Sequence, residues 1–445
     1  MNRYMEEVYQ ALEISYGHES EFLQAVKGMF QAIEPVVDQH PEYEKQAILE
    51  RLTSPERIIQ FRVPWLDDQG QVHVNTGWRV QFSSLNGPYK GGLRFHPSVN
   101  QSVLKFLGFE QIVKNILTGL PIGGGKGGSD FDPKSKTDRE IMAFCQSFMT
   151  ELSKHIGPNL DVPAGDIGVG GRELGYLYGQ YKRLKQMEAG VLTGKPLGSG
   201  GSLGRTEATG YGLVYFLNHM LQVQGDQLKG KTVIISGSGN VAYHAAVKLQ
   251  ALGALVVAMS DSQTALYDPQ GLDLNLIKSL KVDNRQRLKE YIKTYPETQT
   301  FPGSVWDMTI KADIALPCAT QNEINSAQLT RLYQAGVTYL AEGANMPLTE
   351  GALEKIRELD LTYGPGKAAN AGGVAVSAME MSQNASFEAW SQERVDQELQ
   401  KVMGNIFQEV KEAAQNYGFP KDYLRGADIA SFEKLVQLML DQGLV

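Results

Sequence analysis

Glycine is distributed unevenly along this chain of 445 residues, and 27 of its 47 glycines fall in six short stretches: 87–92, 119–128, 165–175, 194–212, 237–239 and 364–373. A residue without a Cβ is required where backbone takes a positive φ or must approach something closely. With no Gly-X-Y period, a collagen-like fold is excluded and several loops that contact ligand or backbone are expected. The length exceeds what one ordinary core supports, so two or three domains are expected.

The charge balance narrows the partners. With 42 Lys+Arg against 50 Asp+Glu the net charge is −8, which argues against nucleic acid as the main partner. The two cysteines, Cys145 and Cys318, are far apart, so a reducing cytoplasm fits better than a disulfide framework. The N-terminus Met1-Asn2-Arg3-Tyr4-Met5-Glu6-Glu7 lacks the apolar segment of a signal peptide, and no apolar run is long enough for a membrane span. The seven histidines show no metal-ligand spacing, so no metal is expected.

Periodicity places the motifs. Residues 1–57 read as helix, with Phe22, Val26, Met29, Phe30 and Ile33 on one stripe. Ile58–Leu66 and Val72–Ser84 read as paired strands, and Val72, Val74, Trp78, Val80 and Phe82 share the face expected to be buried. Residues 99–117 and 138–155 read as helices with a glycine loop between them. The tract Gly194–Gly204 is the expected boundary region. Beyond it, strands at 232–236, 254–259, 312–317 and 337–341 alternate with helices, which predicts a parallel, doubly wound sheet.

Gly237-Ser238-Gly239-Asn240-Val241-Ala242 follows the first of these strands and opens a helix, the G-x-G-x-x-A form of a dinucleotide fingerprint. Gly237 permits the tight turn, Gly239 lets backbone approach a pyrophosphate, and the helix start at Asn240-Val241 favours phosphate charge. Asp261, ending the next strand, normally meets a free ribose hydroxyl and so favours NAD. Ser262, Lys281, Arg285, Arg287 and Lys289 would welcome a 2′-phosphate and favour NADP. The alternative for these basic residues is a solvated helix face.

Gly123-Gly124-Gly125-Lys126-Gly127-Gly128 sets one lysine among five glycines. It is not a P-loop, because Leu120 stands where the first glycine should be and Gly127 where Ser or Thr should follow the lysine. Partial burial would depress the Lys126 pKa and suit carbonyl–amine chemistry; the alternative is a solvated lysine in a flexible loop. Lys90, in the loop Pro88–Pro97, and Lys114, on the helix before the triglycine, would together suit a dianionic substrate. Asp166 brings a carboxylate that can share proton transfer with a lysine, unless it only caps a turn. Gly200-Gly201-Ser202-Leu203-Gly204 fits a nucleophile elbow in letters, but no apolar strand leads into it.

Taken together, Lys90-Gly-Gly-Leu-Arg-Phe-His-Pro97, Leu120–Gly128, Asp161–Asp166, Gly204-Arg-Thr-Glu-Ala-Thr-Gly-Tyr-Gly212 and Lys367-Ala-Ala-Asn-Ala-Gly-Gly-Val374 make the chain resemble the glutamate dehydrogenases, specifically the hexameric NADP-type enzymes. The resemblance implies an α/β fold of two domains. One is an N-terminal α/β substrate-binding and oligomerisation domain over 1–199, to which a helix at 424–445 returns. The other is a Rossmann-like dinucleotide-binding domain over 200–423. It implies reversible deamination of L-glutamate to 2-oxoglutarate and ammonium, serving ammonium assimilation, in a cytoplasmic homohexamer using NADP, with NAD possible. By motif, Lys126 would activate the attacking water and Asp166 would shuttle protons. Lys114 and Gln111 would bind the α-carboxylate, and Lys90 and Ser377 the side-chain carboxylate. Arg205, Thr209 and Asn370 would line the nicotinamide–substrate region, and Asn240, Ala319, Thr320 and Asn345 would contact cofactor. Rivals are a related amino-acid dehydrogenase, which would carry apolar residues at 90 and 377, and a silent dinucleotide sensor.

Overall fold

The computed structural model describes residues 1–444. Two compact units form: Met1–Arg205 with Val374–Val395 and the chain from Asp428 on, and Thr206–Gly373 with Asp396–Ala427. The boundary therefore falls at Arg205/Thr206 rather than 199/200, and the terminal return starts at Asp428 rather than 424. Val374–Val395, expected in the second domain, belongs to the first. The reason is a row of side chains on the helix Gly372–Ser386 that hydrogen-bond the segment 194–205: Ser377 to Arg205, Glu380 to Gly194 and Lys195, Gln383 to Ser202, and Asn384 to Gly200.

The first unit opens with helices Arg3–Tyr16, Ser20–Gln39, Glu42–Lys45 and Ile48–Thr53. Its sheet contains β1 (Arg57–Leu66), β2 (Val72–Ser83), β3 (Tyr89–Phe95), β4 (Gly124–Ser129) and β5 (Asp161–Gly165), in the order β1-β2-β4-β3-β5. The two lysine-bearing stretches expected as loops, and the aspartate-bearing stretch Asp161–Gly165, are thus three adjacent strands. Glycine is a poor strand former in isolation because it costs entropy and packs nothing. Here it is needed for closeness. A Cβ on Gly91 would lie 1.7 Å from the carbonyl oxygen of Gly125, and one on Gly124 would lie 2.2 Å from Ile112 Cγ2 on the helix Gln101–Leu117. That helix, capped by the Asn100 side chain accepting from Val103 N–H, rests almost directly on the strand backbones.

The same glycines clear a path for Arg79. It stands on β2 opposite Gly127, and a Cβ there would lie 3.0 Å from Arg79 Cδ. Its guanidinium passes β4 and β3, donates to the Gly91 carbonyl at 3.0 Å, and reaches Asp161 at the start of β5 in a two-pronged pair, Nε to Oδ2 2.9 Å. Gln81 adds a third donor to Asp161 at 3.0 Å. Both ions are fully buried. β2 was expected to bury only its even-numbered face, but from Gly77 onward both faces are covered, while Val72 and Val74 at its other end are 63% and 61% exposed. Below the sheet, Trp65, Phe95, Phe131, Phe144 and Phe148 form the aromatic core.

The second unit holds a seven-stranded sheet of order β12-β11-β10-β6-β7-β8-β9. Its strands are β6 (Thr232–Ile235), β7 (Leu255–Ser260), β8 (Thr264–Tyr267), β9 (Gln299–Pro302), β10 (Ile314–Leu316), β11 (Tyr339–Ala341) and β12 (Thr362–Gly364). β12, β11, β10, β6 and β7 are parallel, as the alternation of strand and helix predicts, whereas β8 and β9 extend the edge antiparallel. The hairpin between β7 and β8 turns at Asp261, whose N–H donates to the Thr264 carbonyl at 2.9 Å. No helix among the described residues is long and apolar enough to cross a membrane.

The buried Arg79–Asp161 pair gives a direct test. Replacing one partner, as in Arg79→Met or Asp161→Asn, strands a buried charge and should cost about 3–5 kcal/mol of stability in denaturant unfolding. The double change Arg79→Met/Asp161→Leu should recover a large part of that loss; equal losses in the double and single variants would contradict this account of the sheet.

Candidate active site

Two clusters of charge assemble on the first unit's sheet. In the first, Lys126 projects from β4 and Asp166 follows the end of β5. Gly92 of β3, where a Cβ would lie 2.8 Å from Asp166 Cβ, permits the approach. Lys126 Nζ lies 3.1 Å from Asp166 Oδ2, and Arg94 Nε donates to the same oxygen at 2.7 Å. Burial pushes the Lys126 ammonium below the usual lysine range, against the pull of Asp166 and with the help of Arg94 and Arg79. For Asp166, burial acts to raise the pKa, but Lys126 and Arg94 together outweigh it and hold the carboxyl down to about 2. A lysine so placed gives up its proton more readily than a solvated lysine, with a fixed carboxylate beside it.

The second cluster is centred on Lys90 of β3, which is 1% exposed. Its Nζ donates to Thr193 Oγ1 at 2.7 Å. Burial lowers its pKa well below the lysine range, reinforced by Arg205 and Arg79 and opposed by Glu380 and Asp161. Arg205 Nε donates to Ser377 Oγ at 2.8 Å. Lys90, Arg205, Thr193 and Ser377 thus gather cationic and hydroxyl groups in a buried place. On the helix Gln101–Leu117, Gln111 and Lys114 stand three residues apart, on neighbouring positions of one face. Gln111 Nε2 donates to Asn115 Oδ1 at 2.6 Å, and Asn115 Nδ2 donates to the carbonyls of Lys90 at 3.1 Å and Gly123 at 2.5 Å.

Several of these residues were not singled out from the sequence. Arg94 lay inside a recognised motif without a role, and Asn115, Thr193, Lys195 and Glu380 carried no local signal. Ser202, of the rejected nucleophile elbow, donates to the Leu203 carbonyl and accepts from Gln383, an internal arrangement with no strand leading into it.

In the second unit, the expected cofactor residues cluster beyond the carboxyl ends of its parallel strands, where doubly wound sheets bind ligands. After β6, Gly237 takes φ +82° and Gly239 caps the helix Asn240–Ala251, with open space where its Cβ would be. Val241 lies in the first turn of that helix, and buried Ala242 holds helix to strand. Asn240 Nδ2 donates to the Thr206 carbonyl at 2.6 Å. Thr209 lies in the first turn of the helix Ala208–Val223, which packs on Asn240–Ala251 so closely that a Cβ on Gly210 would lie 2.6 Å from Ala245 N. After β10, Ala319 and Thr320 are exposed and their N–H groups donate to Glu323 at 3.0 and 3.2 Å. Beyond β11, Asn370 Nδ2 donates to the Ala344 carbonyl at 3.0 Å and Asn345 Oδ1 at 3.2 Å. Exposed backbone at a helix start, open where a side chain would intrude, fits a dinucleotide pyrophosphate.

Asp261 departs from its expected part. Its Oδ1 accepts from the N–H groups of Gln263 and Thr264 at 2.9 and 3.0 Å, and its Oδ2 accepts from Leu288 N–H at 2.9 Å with Lys281 Nζ at 3.5 Å. Burial works to raise its pKa, yet these donors lower it. A carboxylate has about four acceptor positions; two are used in closing the β7–β8 turn, and the other oxygen meets Leu288 N–H and Lys281. The exposed group at this corner is Ser262, whose Oγ accepts from Arg287 at 2.9 Å. Among the described residues no group of three or more His, Cys, Asp or Glu is placed to hold a metal.

Comparison with known proteins agrees with this layout. Residues 55–183 match the family described as Glu/Leu/Phe/Val dehydrogenase, dimerisation domain, and residues 200–443 match Glutamate/Leucine/Phenylalanine/Valine dehydrogenase. The chain is 52% identical over 442 residues, 98% of each chain, to the NADP-specific glutamate dehydrogenase of Psychrobacter sp. (strain TAD1). It is 49% identical over 451 residues, 100% of each, to the NAD-specific glutamate dehydrogenase of Clostridium symbiosum. The crystal structure of Plasmodium falciparum glutamate dehydrogenase superposes with a TM-score of 0.97 at 48% identity, covering 100% of this chain and 95% of that one.

The Asp166 environment predicts a pH signature. Its folded pKa lies below that of a carboxyl in an unfolded chain, so its stabilisation is complete above about pH 4 and is lost as pH falls toward 2. The stability difference between wild type and Asp166→Asn should include a component of about 2 kcal/mol that disappears over that window. A difference independent of pH there would contradict the ion-paired carboxylate.

Proposed function

Because the chain belongs to the Glu/Leu/Phe/Val dehydrogenase family, we propose that it is a glutamate dehydrogenase, converting L-glutamate and water to 2-oxoglutarate and ammonium with reduction of a nicotinamide dinucleotide, and catalysing the reverse. The observation that carries the substrate assignment is the Lys90 cluster. A buried ammonium, a guanidinium and two hydroxyls in one place suit a side-chain carboxylate, and an apolar side chain would leave the two cations with only hydroxyls to answer them, at a cost of several kcal/mol. Lys114 and Gln111 serve the α-carboxylate in this reading.

The chemistry follows from the Lys126–Asp166 pair. Asp166, held as a carboxylate, accepts a proton from the substrate ammonium so that the amine lone pair can drive hydride from Cα. When bound, an oxidised nicotinamide would supply the acceptor for that hydride. Lys126, whose proton burial makes easier to lose, acts as the neutral amine and takes a proton from water as the oxygen attacks the iminium carbon. Collapse of the carbinolamine breaks the C–N bond, and the departing nitrogen takes a proton back from Lys126. The hydroxyl proton passes to the ammonia as the carbonyl forms, so that ammonium leaves, and Asp166 returns its proton to solvent.

The relatives use both dinucleotides, so cofactor choice rests on this chain's own residues. With the Asp261 oxygens occupied, the corner presents Ser262 and Arg287, and Lys281 lies alongside. That arrangement favours a 2′-phosphate and hence NADP, with NAD as the weaker cofactor. An NADP enzyme running toward glutamate would serve ammonium assimilation. The same reading takes the assembly to be a homohexamer, checked by its mass in light scattering.

Initial rates with glutamate, followed by absorbance of the reduced nicotinamide, test the assignment. Lys126→Ala should lower kcat by about 10³-fold; near-normal turnover would remove its catalytic role. Arg287→Ala should raise KM for NADP by roughly tenfold or more and leave NAD nearly unchanged. Equal changes with both dinucleotides would sink the 2′-phosphate assignment.

A further inference from the structure

One buried ion pair in the first unit is not used by the chemistry above. Lys195 Nζ donates to Glu380 Oε1 at 2.7 Å, and both side chains are fully buried. Lys195 Nζ also donates to the Leu192 carbonyl. The other oxygen of Glu380 accepts from Gly194 N–H at 2.9 Å. A buried carboxylate with two specific partners costs desolvation that packed apolar residues would avoid, so stability alone is a weak reason for it.

Its position supplies a stronger reason. Thr193, which accepts the bond from Lys90, directly precedes Gly194 and Lys195. Thr193 N–H donates to the Pro163 carbonyl on β5 at 3.0 Å, which fixes one side of this short segment to the sheet. Glu380 fixes the other side to the helix Gly372–Ser386, one turn beyond Ser377. Gly194 takes φ +81°, so the chain turns sharply just where the carboxylate seizes it. Glu380 therefore sets the separation between two parts of one subsite: Lys90 with Thr193 on the sheet side, and Ser377 with Arg205 on the helix side.

The charges agree with this. Arg79 is matched by Asp161 and Lys195 by Glu380, whereas Lys90 and Arg205, the other cations of the cluster, hydrogen-bond the hydroxyls of Thr193 and Ser377. An incoming carboxylate then finds two positive groups, held at a spacing that Glu380 determines.

We propose that Glu380, through Gly194 and Lys195, is a positioning residue that determines selectivity for a substrate side chain ending in a carboxylate. The proposal rests on the reading of the Lys90 cluster as the side-chain subsite.

Glu380→Gln tests it with little change of volume. Any orientation of the amide sets an N–H against either Gly194 N–H or the Lys195 ammonium, so one tether is lost. The readout is kcat/KM for L-glutamate divided by that for L-norvaline, which has a methyl group in place of the side-chain carboxylate. KM for glutamate should rise roughly tenfold or more with kcat changing far less, and the ratio should fall by a similar factor while norvaline turnover is retained. An equal loss with both substrates would mean a merely structural role and would overturn the proposal, as would an unchanged ratio. If Glu380→Gln does not fold, Lys195→Met/Glu380→Met removes both charges and restores packing. It should lose the ratio in the same way, and a retained ratio would overturn the proposal. Wild-type chain that fails to oxidise glutamate at all would instead sink the underlying functional reading.

Discussion

The ion pair between Arg79 and Asp161 is the constraint around which the first unit is arranged. A guanidinium on β2 meets its carboxylate only by crossing two intervening strands, and the strands it crosses are those in which glycine replaces side chains. A methyl group on Gly127 would press on the arginine stem, and one on Gly91 would strike the neighbouring carbonyl. The pair is fully desolvated, so its worth lies less in net stability than in fixing which strands sit next to which. It also reaches the chemistry, because Arg79 contributes to the lowered pKa of both Lys90 and Lys126.

From that arrangement the two functional clusters follow. Strands without side chains allow the helix Gln101–Leu117 to lie on the sheet, and Asn115 of that helix ties the backbone at Lys90 to the backbone at Gly123. Lys126 and Asp166 meet because Gly92 stands between them without a Cβ. Lysine burial then does two different things. At Lys126 a paired carboxylate gives a proton somewhere to go, and at Lys90 hydroxyls and a second cation leave positive charge for a ligand to answer.

Much of this was legible in the sequence as identity of residues, and less of it as geometry. The alternating strand β2, the fingerprint Gly237–Ala242 and the doubly wound order could be read because apolar periodicity and the glycine spacing each have one dominant structural meaning. The glycine-rich strands β3 and β4 could not, since a strand without side chains shows no alternation and looks like a loop. The burial of Arg79 and Gln81 was not legible either: period two tells that faces differ, not that both are covered. Asp261 ends a strand as the sequence suggests, but its carboxylate meets the turn into the four-residue strand β8 and the distant Leu288 and Lys281, which no local pattern announces. Thr193, Lys195 and Glu380 escaped because their meeting joins residues nearly two hundred positions apart.

The central claim is that the buried Lys90 cluster selects a side-chain carboxylate. Its most direct test is the ratio of kcat/KM for L-glutamate to that for L-norvaline, measured in wild type and in Lys90→Met. The account predicts a wild-type ratio of at least about 10³ and a fall of at least about a hundredfold on substitution. A wild-type ratio near unity, or a large ratio that survives the loss of Lys90, would contradict it.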